Sequence, residues 1–308
     1  MRNPFKNIGP GALVAAAFIG PGTVTVCTLA GIQFGFSLLW AMTLSIIATI
    51  ILQETASRIG LVSQKGLSQV LRDELPAGIL RKSVLGLVLA AIVVGNAAYE
   101  GGNISGGVLG LQALGSPGTL EVAGYAINGY SLLIGAIAFI LLYIGNYKVL
   151  EKVFLLLVIL MSLSFVITAI LTGPQLLTVL KGALIPQFPD GSILMIVALV
   201  GTTVVPYNLF LHASLVNQKW KDRTELSAAK KDTIVAVILG GLVSMSVIIA
   251  AAAITGQEVD GASGLAQSLE PLYGSAARYC IGLGLFAAGI TSAITAPLAA
   301  AYVAQGCL

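Results

Sequence analysis

The residues best placed to do chemistry in this 308-residue chain stand in the middle of apolar stretches. Ile19-Gly20-Pro21-Gly22-Thr23 interrupts one stretch, and Val204-Val205-Pro206-Tyr207-Asn208 interrupts another. Proline inside a helix removes a backbone donor and clashes with the preceding turn. Flanking glycines lower the cost of unwinding. Backbone opened at such a point presents carbonyl oxygens and helix ends, which together can hold an ion. Glu100 lies in the apolar-flanked run Gly95-Asn96-Ala97-Ala98-Tyr99-Glu100-Gly101-Gly102-Asn103. Its ionised form inside a bilayer costs several kcal/mol unless paired, protonated or hydrated. It therefore reads either as part of an ion path or as a protonated group bonded to Asn96 or Asn103. His212, the only histidine, titrates near neutral pH when unperturbed, so it suits proton relay as well as a buried structural bond.

The elements that must position these residues are transmembrane helices. The chain is 57% hydrophobic and 9% charged, against about 25% charged in soluble domains. Residues 8–53, 122–147, 153–180, 191–218 and 233–257 contain no Lys, Arg, Asp or Glu. Each exceeds the ~20 residues that cross a hydrocarbon core as helix. None alternates as a membrane β-strand would. Eight spans are predicted: Gly9–Ile32, Leu38–Leu61, Lys82–Leu111, Ile127–Gly145, Leu150–Leu171, Ser192–Val216, Thr233–Ile254 and Ala276–Leu308. They form a single transmembrane domain, so the fold class is an all-α integral membrane protein. With the N-terminus cytoplasmic, only Lys181 and Arg278 of the sixteen basic residues lie outside. The positive-inside rule then selects this orientation, in a multi-pass protein of the inner (plasma) membrane. The outer loops 115–129 and 255–275 hold only the acidic charges Glu121, Glu258, Asp260 and Glu270.

Other features are plainer. Glu54 precedes Arg58 by four residues, the favourable order for a helical ion pair. Gly101, Gly102, Gly106, Gly107 and Gly110 have small-residue spacings that suggest close helix packing. Cys27, Cys280 and Cys307 form neither a disulfide framework nor a metal-ligand spacing. No cleavable signal peptide is apparent. No hydrolase motif, phosphate loop or nucleic-acid patch is visible, so neither an enzyme nor a nucleic-acid binder is expected.

The broken spans 1 and 6 are five apart. Matching interruptions in two repeated halves point to a transporter site, with the second half an inversion of the first. The run Gly201-Thr202-Thr203-Val204-Val205-Pro206-Tyr207-Asn208-Leu209-Phe210-Leu211-His212 resembles the sixth helix of the NRAMP divalent-metal transporters, which carry Met-Pro-His-Asn followed by Leu-x-Leu-His. Gly20-Pro21-Gly22-Thr23 stands where that family has Asp-Pro-Gly-Asn, and Gly289–Gly306 is similar to its counterpart. The resemblance implies a LeuT-type fold of two inverted five-helix repeats, with residues 1–172 as the first and 190–308 as an incomplete second. It also implies that further C-terminal helices are missing.

The resemblance assigns metal ligation to Gly20 (aspartate in the family), Thr23 (asparagine) and Val205 (methionine), with the carbonyls of Ala17 and Thr202. Tyr207 replaces a histidine, while Asn208 is retained. Glu100 matches a glutamate tied to proton movement, and Ala97 replaces an aspartate three residues earlier. His212 matches the family's second histidine on this helix. The substrate-site residues are thus Ala17, Gly20, Thr23, Thr202, Val205 and Asn208. Glu100, Tyr207 and His212 are the ion-path or proton-related residues, and Thr23, Asn208 and Glu100 are the metal-ligand candidates. Dications favour anionic oxygen and soft transition metals favour thioether, and this set has lost both. The expectation is alternating-access transport of a Mn/Fe/Mg-class cation across the lipid bilayer, with uncoupled transport a consequence of the missing aspartates. No cofactor is expected beyond the transported ion, and a monomer is sufficient. A sodium-coupled carrier of a small organic solute on the same fold is the alternative.

Overall fold

The structure, a computed structural model, describes residues 10–115, 118–122, 125–145, 147–254, 264, 270 and 274–308. Span 1 is two helices, α1 (Gly11–Phe18) and α2 (Pro21–Phe34). Span 2 is α3 (Leu39–Ser63), followed by a short α4 (Leu67–Glu74). Span 3 is α5 (Ile79–Leu114), longer at both ends than expected. Spans 4 and 5 are α6 (Gly129–Ile144) and α7 (Tyr147–Leu171), with α8 (Leu176–Leu184) after them. Span 6 is again two helices, α9 (Ile193–Thr203) and α10 (Pro206–Lys219). Spans 7 and 8 are α11 (Leu226–Ala251) and α12 (Ser275–Cys307). All eight predicted spans are therefore helical, two of them broken.

Five stretches among the described residues are by themselves long and apolar enough to cross a membrane: Leu39–Ser63, Ile79–Leu114, Ile193–Lys219, Arg223–Ala251 and Ser275–Cys307. Residues 155–171 and α8 make a further apolar pair bent by 119°. Large apolar side chains such as Ile51, Leu87, Val94, Phe139 and Leu156 remain exposed, as lipid-facing groups would. Elements that were not anticipated are α4, α8, a single 3-10 turn at Arg223–Glu225, and an antiparallel hairpin between α5 and α6, β1 (Thr119–Val122) against β2 (Tyr125–Asn128), with Thr119 opposite Asn128. The helix α4 is polar on one side: Lys65 sits 2.6 Å from Asp73. The Lys65 ammonium holds that carboxyl below its usual range.

Packing explains the glycines. Helix α12 lies along α5 and α7, while α11 lies against α2 and α3. A Cβ on Gly106 would run into the Pro21 ring, and one on Gly289 would strike the Gly107 backbone. Gly110 faces the Phe286 backbone equally closely. At Gly107 and Gly110 helix backbones meet with no side chain between them. Gly101 and Gly102 depart from that expectation, because a Cβ on either would meet open space. Glu54 and Arg58 do pair, at 2.6 Å, on an exposed face of α3. Of the acidic residues expected in the outer loops, Glu258 and Asp260 lie outside the described residues, and Glu270 stands 3.5 Å from Arg278.

Candidate functional site

Each break follows from its proline. Pro21 and Pro206 occupy the first turn of α2 and α10, where a missing N–H costs nothing. The residue before a proline is driven from helical to extended backbone. Gly20 accordingly sits at φ −88°, ψ 173°, and Val205 at φ −96°, ψ 120°. Helices α1 and α9 therefore stop at Phe18 and Thr203, leaving carbonyls with no intrahelical partner.

Those carbonyls are met by hydroxyls from the opposite break or the next half-helix. The Thr23 hydroxyl donates to Phe18 O at 2.7 Å and lies 3.4 Å from Thr202 O. The Tyr207 hydroxyl donates to Ala17 O at 2.9 Å. The two broken helices are thus stitched together across sequence separations of 179 and 190 residues.

Around this stitch lies a cavity of about 340 Å³. Six of the predicted residues line it: Ala17, Gly20, Thr23, Thr202, Val205 and Tyr207. Its wall is completed by Tyr99 and Asn103 from α5, Ser292 from α12, and Phe18, Gly22, Val26, Ala198 and Gly201 from the broken helices. Among the described residues, no Asp, Glu, Lys or Arg belongs to the wall. The described residues also contain no cluster of three or more His, Cys, Asp or Glu able to hold a metal. Any cation here is met by carbonyl, hydroxyl and amide oxygen.

The other three predicted residues lie off the wall. Glu100 is half-buried, one residue beyond Tyr99, and its Oε2 is 3.5 Å from Asn103 Nδ2. Asn96 donates instead to Ala296 O at 2.7 Å, so of the two asparagines only Asn103 faces Glu100. Asn208 is fully buried in the first turn of α10, and neither side-chain atom has a hydrogen-bond partner among the described residues. His212 is fully buried, its Nδ1 2.9 Å from Gln53 Oε1 and its Nε2 3.4 Å from the Thr233 hydroxyl.

Asn103, Ser292 and Tyr99 were missed as wall residues. Asn103 was noticed only as a partner for Glu100. Ser292 is one hydroxyl in a long small-residue helix, whose internal proline, Pro297, lies five residues further on and does not break it.

A family model described as Nramp, natural resistance-associated macrophage protein-like, matches residues 11–308. The divalent metal cation transporter MntH of Yersinia pestis (strain Pestoides F) is 28% identical over 321 residues, spanning 99% of this chain and 75% of that protein. The metal transporter nramp1 homolog of Dictyostelium discoideum is 29% identical, spanning 97% of this chain and 56% of that protein. A crystal structure of a mutant manganese transporter from Eremococcus coleocola superposes with a TM-score of 0.76 at 22% identity, over 100% of this chain and 67% of that one. The shared fold is the LeuT-type arrangement that the family resemblance implies.

Proposed function

Because the chain belongs to the Nramp family, we propose that it carries a divalent metal cation across the membrane through the cavity between its two broken helices. The observation that carries this reading is the meeting of the α1–α2 and α9–α10 breaks around one cavity, with Ala17 and Thr202 carbonyls in its wall. The family gives the cargo as a metal, which leaves the organic-solute alternative without support. Thr23 and the two carbonyls hold the ion. Glu100 lies beside its route, and His212 lies further along α10. The carbonyl-rich, carboxylate-free wall favours a Mg- or Mn-class ion that retains part of its water, since hard dications keep several waters when anionic ligands are few.

Transport is uncoupled from protons in this reading, because Ala97 and Gly20 stand where the family has aspartates. The halves 1–172 and 190–308 move against one another in alternating access. With the N-terminus cytoplasmic, as the basic residues favour, the wall runs outward from the breaks to Val26 and Ala198. The inner halves α1 and α10 are buried, from Leu13 to Ile19 and from Leu211 to Val216 wherever their side chains are described. That arrangement corresponds to an outward-facing state.

Proteoliposomes loaded with a divalent-sensitive dye test this. Influx of Mn²⁺ or Mg²⁺ is expected, unchanged by a proton gradient. Absence of flux for Mn²⁺, Mg²⁺ and Ca²⁺ alike would overturn the transport reading. A proton current accompanying flux would overturn the uncoupled one.

A further inference from the structure

The two prolines single out two carbonyls. A helical C=O accepts from the N–H four residues further on, and proline has no N–H. Pro21 lies four residues past Ala17, and Pro206 lies four past Thr202. The chain itself thus strips both carbonyls of a helical donor, and both residues line the cavity.

The replacement donors come crosswise. Tyr207, the residue after Pro206, gives its hydroxyl to Ala17 O at 2.9 Å. Thr23, two residues after Pro21, donates to Phe18 O at 2.7 Å and stands 3.4 Å from Thr202 O. Each break sends a hydroxyl to the other. Both side chains are buried and both belong to the cavity wall. A hydroxyl hydrogen on a carbonyl lone pair takes the place that a bound cation takes, since each offers positive charge to the oxygen. Among the described residues no charged side chain lies in the wall, so a departing cation bares no charge there.

We propose that the Tyr207 and Thr23 hydroxyls stand in for the cation when the site is empty, so that the empty carrier can close and return. The protein is then a net uniporter and not an obligatory exchanger. The argument turns on the closed cavity. While the cavity is open, water meets a bare carbonyl. Once it closes, an unmet buried carbonyl carries its full desolvation penalty. The hydroxyls remove that penalty from the empty carrier, and the cation removes it from the loaded one. The Tyr207–Ala17 bond joins α10 to α1, and the Thr23–Thr202 contact joins α9 to α2. Neither has to break when one pair of half-helices tilts against the other. This inference rests on the metal-transport reading above.

The test compares two Mn²⁺ fluxes in the same proteoliposomes, with the membrane potential clamped and Mn²⁺ saturating. Net uptake into Mn²⁺-free liposomes needs the empty carrier to return. Exchange of radiolabelled Mn²⁺ into Mn²⁺-loaded liposomes does not. The unmodified protein is expected to show comparable rates in both. Tyr207→Phe should lower the ratio of net uptake to exchange by about tenfold or more, because the Ala17 carbonyl is then bare in the closed empty state. Thr23→Val, which bares Phe18 O, should lower the same ratio. Exchange without net uptake in the unmodified protein overturns the proposal and leaves metal transport standing. So does an unchanged ratio in both variants, or a loss of exchange as large as the loss of net uptake. Absence of both fluxes in the unmodified protein overturns the metal reading itself.

Discussion

Tyr207→Phe removes one oxygen atom and leaves the ring in place, tilted against Tyr99 with centroids 6.2 Å apart. What is lost is the 2.9 Å hydrogen bond to Ala17 O. That carbonyl is one of the two expected to face the transported ion. A neutral buried hydrogen bond has a net worth of about 0.5–1.5 kcal/mol, so the variant should lose about that much stability, partly offset where cavity water reaches the carbonyl. The effect on cargo has the opposite sign. If the metal takes the Ala17 carbonyl, binding must first displace the tyrosine hydroxyl, and the variant escapes that cost. Metal affinity should then rise roughly 2- to 13-fold, the same free energy expressed as a ratio of dissociation constants. Thermal unfolding in detergent reads the first effect, and calorimetric Mn²⁺ titration reads the second. A destabilised variant whose Mn²⁺ affinity is unchanged or weaker would refute the reasoning. It would mean that the cation uses the carbonyl's second lone pair, or does not use Ala17.

Three further outcomes are expected. Gly106→Ala drives a methyl into the Pro21 ring, so overpacking should cost about 1–3 kcal/mol and slow flux, because the break itself is displaced; normal flux and unchanged melting would show that α5 gives way freely. Glu100→Gln should reduce dication flux by changing the charge beside Asn103, and equal flux in a liposome assay would remove Glu100 from the route. Arg58→Ala should change stability by less than about 1 kcal/mol, since the arginine of its pair is 55% exposed; a large drop in melting temperature would contradict that estimate.

Much of the architecture is legible along the chain because its causes are local. Charge-free apolar runs long enough to cross a bilayer must satisfy their own backbone, and helix is the local way to do so. Pro21 and Pro206 break their helices through the backbone of the one or two residues around them, so both breaks could be placed from sequence. The Glu54–Arg58 pair is local in the same sense. The short helices α4 and α8 and the hairpin β1–β2 escaped notice because they are brief, and α8 and β2 begin inside charge-free runs that read as parts of longer spans. Gly101 and Gly102 show the converse failure: their spacing matches that of Gly106 and Gly110, but only packing decides which glycines meet another backbone.

The site divides along the same line. The identity and order of the residues on the two breaks, including the absence of aspartate at Gly20 and methionine at Val205, are set by sequence alone. Which of them face one another is not. The Tyr207 hydroxyl reaches Ala17 across 190 residues, Thr23 reaches Thr202 across 179, and Ser292 comes to Gly20 from a helix 272 positions away only because α12 packs into the middle of the bundle. No local pattern encodes such a meeting, since it depends on how α5, α12 and both broken helices pack side by side. The sequence determined that there would be two opened backbones in a membrane. Only the tertiary structure decided that they share one cavity, that hydroxyls meet the freed carbonyls, and that a buried serine stands against Gly20.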